Sequence, residues 1–199
     1  ELNVKKGTII LIAIVVVIFL MISSAIGKYN NMVTLEEGVD ASWSQVENVY
    51  QRRADLIPNL VATVKGYAEH EQETFTAVTE ARSKVNNINL DGIINNPQAM
   101  QNFQQAQTGL SGALSKLMVV QERYPDLKAN QNFLDLQTQL EGTENRIAVE
   151  RNRFNRAAQG YNTIIRRFPG SIYAGMFGFD RKAYFEAESG SEVAPQVEF

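Results

Sequence analysis

Cysteine is absent from the 199-residue chain. Its absence excludes disulfides, thiolate catalysis and a lipid anchor attached through cysteine. Histidine occurs once, at His70, so ordinary zinc sites and histidine-rich catalytic groups are nearly excluded too. A basic excess is also missing: 19 Lys and Arg stand against 22 Asp and Glu, a net charge of −3. That balance gives no electrostatic reason to expect nucleic acid as a partner. No phosphate-binding loop, nucleophile elbow, zinc spacing or dinucleotide fingerprint occurs along the chain. The expectation is a protein that is not an enzyme and carries no cofactor and no metal. His70 does not change this. Glu69, Glu71 and Glu73 flank it, but consecutive positions on a helix point in different directions, and the paired Glu-x-x-His elements of di-iron bundles are missing. An exposed polar helix face is expected there.

What the chain does have is one long apolar run. Thr8 to Ile26 holds no charged residue, and thirteen of its side chains are Ile, Leu, Val or Phe. As a helix it extends about 28 Å, close to the hydrocarbon thickness of a bilayer. At about 0.3–0.6 kcal/mol for each such residue, insertion gains on the order of 6 kcal/mol with no charge opposing it. A cleaved signal peptide is the alternative, since Ser23 and Ala25 suit a small-residue cleavage site. The run, however, exceeds the usual length of a signal's apolar region. Because the chain opens on Glu1 rather than Met, trimming of a few upstream residues is expected. Lys5 and Lys6 precede the span, whereas Lys28 alone follows it before Glu36, Glu37 and Asp40. The positive-inside rule then places the N-terminus in the cytoplasm and the large domain on the extracytoplasmic side of the membrane.

The rest reads as all-α. Thr34-Leu-Glu-Glu37 has the form of a capping box opening a helix. Apolar residues then recur in steps of mostly three and four from Leu35 through Trp43, Tyr50, Ile57 and Val64 to Phe75 and Val78, one continuous helical stripe. Pro58 interrupts the stripe without shifting its phase, which favours a kinked helix over two helices joined near Asp55. Asn86 to Asn96 reads as a loop. Asn96-Pro97 is a cap followed by first-turn proline, opening a second helix that carries Met100, Phe103, Leu110, Leu114, Leu117 and Val120 and ends at Tyr124-Pro125. A third helix over Leu127–Phe168, about 63 Å long, repeats apolar residues in heptad steps and stops at Phe168-Pro169-Gly170. The organisation expected is an N-terminal tail over 1–7, a transmembrane helix over 8–26 and a juxtamembrane linker over 27–33. An elongated antiparallel helical bundle follows over 34–185, with a C-terminal tail over 186–199.

Several segments in order resemble the LemA family of bacterial membrane proteins. They are YNNMV (Tyr29 to Val33), the stretch Ala41 to Glu71 containing RRADLIPNLV, and VTEARSKV (Val78 to Val85). Tyr124 to Asn155, which opens YPDLKANQNF, Tyr161 to Ala174, and the terminal YFEAESGSEVAPQVEF complete the set. The resemblance covers nearly the whole chain. It implies a helical bundle built on a long antiparallel hairpin and held to the membrane by one N-terminal helix, and it supplies no established biochemical activity.

Two residue sets are candidates for a role beyond solvation. Arg52, Arg53, Asp55, Pro58 and Asn59 concentrate polar groups beside an irregularity. Pro58 frees a carbonyl one turn earlier, which a nearby Asn or Arg can satisfy. Bracing of the kink is the first reading, and a ligand or partner site the second. The third helix carries a seam of Phe133, Leu136, Leu140, Ile147, Glu150, Phe154, Tyr161, Ile164 and Phe168. It is read first as bundle core and second as an intermolecular coiled coil, with Glu150 pairing a basic residue in the bundle or across an interface. The mixed-charge stretch from Glu144 to Arg153 reads as surface ion pairs. Ile172 to Phe179, apolar and glycine-containing, reads as a cap on the open end of the bundle or as a docking patch. The functional expectation is a membrane-anchored scaffold that self-associates as a homo-oligomer and displays a surface to other envelope proteins, with membrane lipid as its solvent. A regulatory adaptor or signalling subunit is the alternative.

Overall fold

The computed structural model describes residues 6–186, and every regular element in that range is helical. The expected tails therefore fall largely outside the described residues: 1–5 at one end and 187–199 at the other. Helix α1 runs unbroken over Lys6–Lys65, about 90 Å. Its first part, Gly7–Ile26, is exposed on nearly every side and touches none of the bundle core. Such a face is stable only in an apolar solvent, and this one helix is long and apolar enough to cross a membrane.

Two expectations about α1 are corrected. Residues 27–33 form no linker, because the helix continues through them. Thr34 opens nothing either: its hydroxyl donates to the Asn30 carbonyl at 2.9 Å inside the helix. A cap is needed only where the first N–H groups have no partner, and here the preceding turns already supply the carbonyls. A third correction concerns the far end. The stripe from Leu35 to Val78 spans two helices, for α1 ends at Lys65 and α2 begins at Gln72, ending at Asn86. The stripe keeps its phase because both sides of the turn feed one core, in which Phe75 and Val78 of α2 meet Ile57, Leu60 and Val64 of α1. His70 therefore lies in the exposed α1–α2 turn rather than on a helix face.

After a connection in which Ile93 and Ile94 are buried, α3 runs over Pro97–Val120. The Asn96 side chain accepts from the Gln98 and Ala99 amides at 3.1 Å, as a cap followed by Pro should. A short α4, Pro125–Lys128, follows Tyr124. The third long helix, α5, covers Gln131–Arg166, about 54 Å. It starts later than expected because Asn130 caps it through the Phe133 amide at 3.0 Å. Pro169-Gly170 stops α5, but the chain then forms α6 over Gly170–Phe177.

The bundle is a four-helix rod built on a long antiparallel hairpin of α1 with α5, with α2 and α3 paired beside it. At the end near the span, Met32 joins Ile165 and Ala174. At the far end, the Tyr67 hydroxyl accepts from Asn130 at 2.8 Å. The core falls into two apolar clusters. The proximal one centres on Trp43, Phe103, Phe154 and Tyr161, and the distal one on Leu60, Leu114, Leu117 and Phe133. Each large side chain removed from water contributes roughly 1.5–3 kcal/mol, which an isolated amphipathic helix has no means of gaining.

Candidate functional site

Helix α1 divides the arginine–proline cluster between two environments. Arg53 points inward and is only 2 % exposed, whereas Arg52, Asp55, Pro58 and Asn59 lie on the outer surface. Asp55 accepts from Gln51 on its own helix at 2.8 Å. The five residues do not form one site. The carbonyl left free by Pro58 is that of Ala54, one turn back, and Arg82 of α2 donates its Nε to it at 3.0 Å. The donor therefore comes from the neighbouring helix and not from Arg52 or Asn59.

Arg53 lies where the two apolar cores meet. Its guanidinium donates to the Ser111 hydroxyl at 3.0 Å, to the Gln107 side-chain carbonyl and to the Glu144 carboxylate. It also lies 5.2 Å from the Tyr50 ring centroid. One cation thus joins α1, α3 and α5 in a polar layer. A buried guanidinium is tolerable because its planar fork meets several acceptors at once and Glu144, 40 % exposed, keeps contact with water. Glu144 is thus no mere member of the surface ion-pair network that its mixed-charge surroundings suggest. Its partner is invisible to local pattern because 91 residues separate the two.

The α5 seam is spent inside the chain. Phe133, Leu140, Ile147, Phe154 and Tyr161 are buried, and Leu136 and Ile164 half-buried. Glu150 pairs with Arg153 on its own helix at 2.8 Å, and Phe168 stands outside at 82 % exposure. Burial, together with the nearby carboxylates of Glu36 and Asp180, pushes the Tyr161 hydroxyl well above the ordinary tyrosine range.

A further constellation escaped the reading of the sequence. Beyond α6 the chain returns as an extended strap over 179–186 along α5 and the start of α3. Three carboxamides grip its main chain, each donating to a carbonyl and accepting from the amide of the same residue. Asn162 holds Lys182 (2.9 Å both ways), Asn155 holds Phe185 (2.9 Å both ways), and Gln104 holds Glu186 (2.8 and 3.1 Å). Between the grips, the Ala183 amide donates to the Ile94 carbonyl at 2.7 Å. Phe185 enters the aromatic cluster, 5.7 Å from Phe154 and 6.0 Å from Trp43 between ring centroids. The buried Lys182 ammonium reaches Glu36 at 2.7 Å and Asn95 at 2.9 Å. The strap is thereby fixed to α1, α3 and α5. Asn155 and Asn162 lie seven residues apart on one face of α5, a spacing that could have flagged the groove.

An open groove between α2 and α3 is lined by small residues such as Ala77, Ala81, Gly109 and Gly112 together with the charged Glu80, Lys84 and Lys116. Among the described residues, no three His, Cys, Asp or Glu side chains gather to hold a metal ion.

The family model described as LemA family matches residues 42–199. Two relatives named as magnetosome protein MamQ are similar to the chain, one from Paramagnetospirillum magneticum and one from Magnetospirillum gryphiswaldense. Each is 27 % identical over 88 % of this chain and 72 % of its own length. A protein named LemA from Metamycoplasma hominis is 26 % identical over 81 % of this chain and 70 % of its own.

Proposed function

Since the chain belongs to the LemA family and its apolar helix passes into the bundle without a hinge, we propose that it is a membrane-anchored interaction scaffold. The continuity of α1 from Lys6 to Lys65 is the observation that carries this reading. A bundle hung on a flexible linker samples all orientations. One that shares its helix with the anchor presents its surface at a fixed height and angle. The reading is non-enzymatic: the names of the relatives denote a cellular body or a family rather than a reaction, and the Arg53 guanidinium is held by Ser111, Gln107 and Glu144. The lysines before the span favour an extracytoplasmic bundle in a bacterial inner membrane, with other envelope proteins as partners.

Self-association belongs to the same proposal. Confinement to a plane raises effective concentration and lets weak lateral contacts count. Such contacts have to use a face other than the α5 seam, and the groove between α2 and α3 is the candidate: its small residues let another helix approach, and Glu80, Lys84 and Lys116 beside them offer ion pairs. Mass measurement of the full chain in a mild detergent over a range of concentrations tests this. Assemblies larger than one chain are expected, and a monomer throughout would overturn self-association.

A second reading, a signalling adaptor, is favoured by one feature. The helix that crosses the membrane also carries Pro58, and its freed Ala54 carbonyl is held by α2. A displacement of α1 would be felt there first.

A further inference from the structure

Helix α6 has two unlike faces. Gly170 and Ala174 face inward. A Cβ at Gly170 would collide with the Ile164 carbonyl oxygen and approach the Met32 methyl to 3.3 Å, so only glycine lets α6 sit this close to α1 and α5. The other face is apolar and open. Ile172 and Met176, one turn apart, are 52 % and 70 % exposed, and Phe177 is 45 % exposed. Phe168, two residues before the helix, is 82 % exposed, and no charged side chain occurs between Phe168 and Phe179. Arg166 and Arg167 precede this stretch in sequence and Asp180 and Arg181 follow it, all exposed.

The position of this patch along α1 identifies what covers it. The Tyr29 ring lies 5.0 Å from Phe177 and 5.6 Å from Phe179 between centroids. Tyr29 is three residues past Ile26 and Met32 six, hence about 4.5 and 9 Å beyond the end of the apolar run. At roughly 5–7 Å per side, the headgroup layer takes in Tyr29 and ends just below Met32; aromatic rings settle there, and lysines such as Lys28 extend toward phosphate. We propose that α6, with Phe168, is an interfacial helix that seats its open face in the bilayer crossed by α1. The flanking arginines then lie at the level of the lipid phosphates. The bundle thereby has a second membrane contact beside its anchor, which restrains its rotation and tilt. The inference rests on α1 crossing the bilayer, and its test separates the two.

A chain without cysteine accepts single nitroxide labels cleanly. The full-length protein is reconstituted in phosphatidylcholine–phosphatidylglycerol vesicles with one label at a time, through Ile172→Cys, Met176→Cys, Val15→Cys in the span and Gln101→Cys on the exposed surface of α3. Circular dichroism verifies each fold. Collisions with oxygen and with a water-soluble nickel chelate report immersion. Labels at 172 and 176 are expected to collide several-fold more with oxygen, and several-fold less with nickel, than the label at 101. If 15 is immersed while 172 and 176 meet nickel as freely as 101, interfacial docking is wrong and the anchor stands. If 15 is also in water, both fail. Spin–spin broadening at 176 that disappears on dilution with unlabelled protein would mean that a second copy covers the patch, which also overturns the proposal.

Discussion

Arginine does two different jobs here that its type alone does not reveal. Arg53 is buried because one planar cation can satisfy Ser111, Gln107 and Glu144 together. Arg82 is needed because proline has removed a donor elsewhere. The Ala54 carbonyl lost its intrahelical partner at Pro58 and takes the Arg82 Nε instead. The two residues should therefore be energetically coupled. Arg82→Ala is expected to destabilise the chain by about 1–3 kcal/mol, the usual cost of leaving a buried carbonyl unmet. In a Pro58→Ala background the restored N–H takes that carbonyl, and Arg82→Ala should then cost much less. Urea unfolding of the four proteins measures the coupling, and strict additivity would refute the pairing. If Pro58→Ala also changes partner capture while the fold is kept, the signalling reading gains over the scaffold.

At the scale of elements, the strap shows how an extended segment without a sheet can still satisfy its backbone. Asn162, Asn155 and Gln104 offer the same donor–acceptor pair that a neighbouring strand would offer. The grip reads main chain, while Ala183 and Phe185 supply burial. Asn155→Ala should remove one grip, costing about 1–3 kcal/mol. Amide exchange in the strap should accelerate while α1 and α5 stay protected. Asn155→Asp, which accepts but does not donate, should lie between the natural protein and the alanine variant. Unchanged strap protection in Asn155→Ala would mean that Phe185 burial alone holds the segment. The glycine at 170 works at this scale too, since the close seat of α6 depends on it.

For the whole molecule, the absence of a hinge between span and bundle has a measurable consequence. From Ile26 to Lys65 the helix is continuous, so the distal turn should stand about 58 Å from the hydrocarbon edge, slightly less with an ordinary tilt of about 20°. Height imaging of the protein in a supported bilayer should find a rod of that order. A height of half that would mean that the bundle lies along the membrane, against both the scaffold reading and a steeply standing α1. A standing rod is also compatible with α6 at its base, since one interfacial helix beside the span braces the rod without laying it down.

Much of this architecture was legible in the amino-acid order, because it depends on local periodicity. The uncharged run of Thr8–Ile26, the Asn96-Pro97 start, the apolar steps of α5 and the stop at Pro169 are each decided within a few residues. What tertiary structure decided is what local pattern cannot carry. Thr34-Leu-Glu-Glu37 has the form of a helix start, yet a helix already arriving from the apolar span made a start unnecessary. A stripe in unbroken phase concealed the reversal at Gly66, since both arms serve one core. Arg52 and Arg53 are chemically alike in sequence, and only packing chose which is buried. Glu144, Arg82 and the strap acquired their partners through contacts 91, 28 and from 20 to 146 residues away along the chain. Helical periodicity determines which face must be hidden; only the assembled bundle determines which polar groups are hidden with it, because a buried charge is stable only where distant helices bring acceptors to it.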